Sequence, residues 1–68
     1  MYSSPDQLLA VAARVLRRCA NGHDPRTHDV QVLVRHAVPC QIGMRPAELA
    51  GTTIWRIQRA NETMHSAA

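Results

Sequence analysis

Apolar positions recur at helical spacing through the first third of the chain. Leu8, Leu9, Val11, Ala12, Val15, Leu16 and Cys19 form one broad stripe; Ala10, Arg14 and Arg17 lie opposite, with Arg18 on the flank. Ser4-Pro5-Asp6-Gln7 reads as a helix start. Ser4 takes the N-cap, Pro5 the first helical position, and Gln7 the place of a capping-box partner. Asp6 adds negative charge at the positive end of the helix dipole. Asn21-Gly22 supplies the stop, because glycine can take the left-handed conformation that closes a helix.

The second element is less sharply written. Asp24-Pro25 or Thr27 can cap a helix running to about residue 38, with Val30, Leu33, Val34 and Ala37 on one face and Pro39 as the terminator. The run Asp29 to Val34 also alternates like a strand, and valine favours strands. No other segment offers a strand to pair with, so the pattern predicts a helix. Cys40 to Arg45 reads as a loop, with Ile42 and Met44 tucked under the third helix. Pro46 opens that helix. Gly51-Thr52-Thr53 interrupts its pattern, since glycine costs about 1 kcal/mol relative to alanine in a helix interior, and a break there is expected. The segment continues to about Met64, and the last four residues should fray. The pattern as a whole predicts an all-α, three-helix bundle in a single domain spanning the 68 residues, the third helix broken at Gly51.

Trp55 departs from this pattern. Counted at about 100° per residue from Leu49, Ala50, Thr53, Ile57, Ala60 and Met64 share one side of the third helix. Trp55 points the other way, beside Arg56, Arg59 and Glu62. Tryptophan flanked by arginine on an outward face is the usual make-up of a binding hot spot. The competing reading places Trp55 in the core or a dimer interface, because a small domain has few other bulky groups.

Composition sharpens this reading. The chain is 46% hydrophobic, but many of those residues are alanine, aromatics are 3%, and there is no Phe. Such a core rarely supplies more than ~3–5 kcal/mol, so a homodimer or a complex with a larger protein is expected. The net charge is +3, and every one of the 8 basic side chains is Arg rather than Lys. Together with the alanine content this fits a genome rich in G and C, of bacterial or phage type. Where the arginines lie matters more, because a guanidinium makes bidentate and stacking contacts that an ammonium does not. No signal peptide and no run of ~20 apolar residues is visible, so a cytoplasmic protein that avoids membranes is expected.

Cys19, His23, His36 and Cys40 are spaced C-x3-H-x12-H-x3-C, which imitates a small zinc finger. A helix between the two pairs would rise ~20 Å and hold them at opposite ends, so neither zinc nor a disulfide is expected. No Gly-rich phosphate loop and no ordered nucleophile–base pair is present, which points away from an enzyme and from a cofactor.

The stretch Pro46 to Arg59 resembles part of a helix-turn-helix reader. Ala47 and Gly51 have the small-residue spacing of such a turn, and Thr52 to Arg59 looks like a recognition helix. The usual unit has several more residues between its Glu-Leu-Ala and its Thr-Ile. Two functions are therefore carried forward. The first is a small regulatory protein, an inhibitor or adaptor, that binds another protein through Trp55, Arg56 and Arg59, assisted by Arg14 and Arg18. The second is a DNA-binding transcriptional regulator, with the arginines of the first and third helices merged into one patch. An exposed Trp favours the protein partner.

Overall fold

The computed structural model describes residues 4–36 and 43–66. Three helices pack against one another: α1 (Pro5–Ala20), α2 (Thr27–His36) and α3 (Pro46–Ser66). No strand occurs among the described residues, so Asp29 to Val34 is helical. The chain is a small all-α three-helix bundle, and its largest contact is α1 against α3. No described helix is long and apolar enough to cross a membrane.

The ends of α1 follow from its sequence. The Ser4 hydroxyl accepts from the Asp6 N–H at 3.2 Å, and Pro5 stands where a helix has no use for an N–H. At the other end Gly22 takes φ 78°, a left-handed conformation. The His23 N–H then donates to the Arg18 carbonyl at 2.9 Å and the Gly22 N–H to the Cys19 carbonyl at 3.1 Å. This pair of bonds is a Schellman closure, and it sends the chain sharply away from the helix axis.

The core consists of Val11, Ala12 and Val15 of α1, Val32 and Leu33 of α2, and Leu49 and Ala50 of α3. Leu8, Leu16, Cys19, Met44 and Ile54 pack around it. The apolar stripe of α1 and the inward placement of Met44 thus agree with the sequence. Ile42, Pro39 and Cys40 lie outside the described residues.

Two expectations are corrected. The first concerns the face of α2. The residues buried there are Asp29, Val32 and Leu33, while Val34 is 55% exposed. The helix begins at Thr27, and it is turned from the apolar face that valine spacing suggests. The cause is ionic. Asp29 is held by Arg14 of α1, so a carboxylate occupies a core-facing position that hydropathy assigns to solvent.

The second concerns α3, which is one helix from Pro46 to Ser66, uninterrupted at Gly51. The Thr53 hydroxyl is buried and donates to the Leu49 carbonyl at 2.8 Å, spanning the glycine from within the helix. Packing of Leu49, Ala50, Thr53 and Ile54 on the core outweighs the weak propensity at one position. A methyl group at Gly51 would meet nothing within 4 Å. Gly51→Ala is therefore expected to stabilise the fold by about 0.5–1 kcal/mol through helix propensity alone. A thermal midpoint that falls in this variant would contradict an unbroken helix.

Candidate functional site

At 21 residues α3 spans about 31 Å, longer than the bundle it packs on. Its first half supplies the core. Beyond Ile57, which is half-buried, residues 58 to 64 are all exposed. Ala60 and Met64 continue the inward-facing stripe by spacing, yet Met64 is 72% exposed. The sequence stripe simply outruns the helices that could cover it.

Trp55 is 57% exposed and stands on the side of α3 away from buried Thr53. The core reading of Trp55 is thereby excluded within the monomer. The Arg59 guanidinium lies 5.4 Å from the centroid of the indole ring, one turn along the helix. At this distance the cation is attracted by the negative face of the ring, by about 0.5–1 kcal/mol at an exposed site. The contact favours an indole orientation along its own helix, toward Arg59. Arg56 is exposed beside it.

The arginines of α1 have a different setting. Asp29 is 4% exposed, and Arg14 reaches it with two nitrogens: Nε to Oδ2 at 3.3 Å and Nη2 to Oδ1 at 3.3 Å. Arg14 thus ties α1 to α2, although nearly half its side chain is open to solvent. Arg18 donates from Nε to the Asp24 carbonyl at 3.0 Å, which fixes the connection between the helices. Arg14, Arg17, Arg18 and Asn21 from α1 line one side of a cleft of about 300 Å³. His23 of the connection, with Arg26 and Asp29 at the start of α2, closes the other side. No residue of α3 lines it, so Arg56 and Arg59 do not join the arginines of α1 in this surface.

Compared with known protein families, curated proteins and solved structures, the chain matches none. Function is therefore argued from these two surfaces. Three of the five sequence-predicted partner residues, Trp55, Arg56 and Arg59, share one stretch of α3. The other two, Arg14 and Arg18, brace the α1–α2 junction and wall the cleft. Sequence reasoning weighed His23 only as a metal ligand and overlooked Arg26 and Asp29. Arg26 and His23 carry a signal of sorts, as they follow a Gly turn that folds the chain back beside α1. Asp29 carries none, since its partner lies fifteen positions earlier on another helix. Among the described residues no three His, Cys, Asp or Glu side chains gather as metal ligands.

The Arg14–Asp29 pair sets an expected result. Arg14→Ala leaves a buried carboxylate without its main partner and should cost about 2 kcal/mol of stability. Removing Asp29 as well relieves that desolvation, so the double alanine variant should be more stable than the sum of the two single losses implies. Chemical denaturation of the four proteins measures the coupling. A coupling near zero would show the pair to be a solvated surface contact.

Proposed function

We propose that this chain is a small non-enzymatic regulatory protein, an inhibitor or adaptor, that works by binding another protein through the outward side of α3. The single observation that carries this reading is Trp55, 57% exposed and held under the Arg59 guanidinium at 5.4 Å. The largest side chain in a chain poor in bulky groups is the one a small core would be expected to bury. Here it stands outside instead, beside the Arg59 guanidinium. An indole turns about only two side-chain bonds, so it loses little conformational freedom on docking and offers a large apolar surface. The partner surface it fits has an apolar pocket for the ring and acidic groups for Arg56 and Arg59, in keeping with the net charge of +3.

The DNA-binding alternative loses its motif. A helix-turn-helix unit requires a turn between Glu48 and Thr53, and this segment is continuous helix. Its remaining support is charge. The decisive experiment is capture from cell lysate on immobilised wild-type protein and on Trp55→Ala, each with and without nuclease. The proposal expects one protein partner that survives nuclease and is lost with Trp55→Ala. Capture that disappears on nuclease treatment in both would favour nucleic acid.

A further inference from the structure

The arginine cleft between α1 and α2 is not needed by the α3 surface, and it has a chemistry of its own. We infer that it is a receptor for a phosphoryl dianion, independent of the partner that Trp55 takes. Four guanidiniums, of Arg14, Arg17, Arg18 and Arg26, face one carboxylate, that of Asp29. Arginine stays protonated at any ordinary pH, so the cleft carries a standing positive excess. The one carboxylate is already held at both oxygens by Arg14. It is buried, and it cannot also neutralise the rest.

The four cations have two distinct jobs. Arg14 and Arg18 are anchored, to Asp29 and to the Asp24 carbonyl, and they form a fixed wall. Arg17 and Arg26 show no side-chain hydrogen bond or ion pair among the described residues, and they rise from opposite sides of the cleft. A ligand between them gains donors that have no competing partner among the described residues. The backbone assists in two ways. The Arg17, Arg18 and Cys19 carbonyls that end α1 accept N–H groups from Asn21, His23 and Gly22, so these repelling lone pairs are engaged. The start of α2, with the positive end of its dipole, opens at the same place through Arg26 and Asp29.

Charge and lining select the ligand. A half-open cleft of about 300 Å³ takes a compact anionic group and leaves room for the moiety that carries it. Duplex nucleic acid presents evenly spaced diester charges and needs an extended basic track instead. No aromatic side chain lines the cleft to stack a base, apart from the His23 ring. A net excess of three positive charges, four arginines less one aspartate, matches a phosphate or phosphomonoester carrying about two negative charges better than a single carboxylate. The fork of each guanidinium suits the tetrahedral oxygens.

The test is NMR titration of the full chain at low ionic strength with inorganic phosphate, and in parallel with glucose 6-phosphate. Saturable shifts are expected at the side-chain Nε–H groups of Arg17, Arg18 and Arg26 and at the His23 ring, with the Trp55 indole N–H unmoved. Arg17→Ala and Arg26→Ala should each weaken binding about tenfold with helical content unchanged, because each removes a charge-assisted donor that has no structural role. Trp55→Ala and Arg56→Ala should leave it as it is. Tighter binding of the sugar phosphate than of phosphate identifies an ester as the source, and equal binding identifies the free ion. The inference is overturned if the shifts fail to saturate, or if Arg56→Ala weakens binding as much as Arg17→Ala. It is overturned as well if a single-stranded oligonucleotide binds more tightly than either anion and loses affinity equally on all these arginine substitutions.

Discussion

Leu33→Ala is expected to unfold the domain at room temperature. Leu33 is 0% exposed and is the largest of the fully buried side chains. Truncating such a leucine costs about 2–5 kcal/mol, the lost transfer energy plus the cavity left behind. A core of this size rarely provides more than about 3–5 kcal/mol in total. The fully buried residues around it are valine, alanine and a single leucine, Leu49, and the bulkier Leu8, Leu16, Met44 and Ile54 at the core's edge could refill the gap only by giving up contacts of their own. Circular dichroism should show lost helix and no cooperative melt. Val34→Ala is the matching control. Val34 sits next in sequence but is 55% exposed, so its truncation should change stability by no more than about 0.5 kcal/mol. Equal damage from both variants would mean that α2 is rotated from the register described, toward the face that valine spacing alone suggests. Repeating the wild-type melt at two protein concentrations adds a test of self-association, because a dimer gains stability with concentration and a monomer does not.

Trp55→Ala should weaken partner binding by about 2 kcal/mol or more and leave the helical content intact. The two halves of this expectation are separate measurements. Intact folding follows from the exposure of Trp55, which stands outside the core cluster. Lost affinity follows from the hot-spot reading alone. Arg59→Ala should cost less, and the two losses should not add, because the guanidinium at 5.4 Å orients the same ring that docks. Salt should matter only moderately for a protein partner. A nucleic-acid partner would instead show affinity falling with salt at a log–log slope of about −3 to −4 for four phosphate contacts. Unfolding of Trp55→Ala would remove the basis of the proposal, as it would make Trp55 a structural residue.

The sequence alone determines the elements whose information is local. The Ser4 cap, Pro5 at the first position and Gly22 in its left-handed closure fix both ends of α1, because each acts within a few residues of itself. The apolar stripe of α1 is equally legible; the outward position of Trp55 follows from sequence only once α3 runs unbroken through Gly51, since a continuous helix preserves its 3.6-residue phase from Leu49 onward. Only the tertiary structure decides what depends on a residue far along the chain. Asp29 is polar in any hydropathy count, and its burial is decided by Arg14 on a different helix. The face that α2 presents buries Val32 and Leu33 together with that ion pair and differs from the valine pattern. Gly51 weakens a helix locally, yet flanking residues packed on α1 and α2 hold it helical. The arginines that look like one patch in sequence divide between α3 and the α1–α2 cleft. Spacing along a chain orders side chains around one axis, whereas which axes adjoin is set by packing and charge between helices.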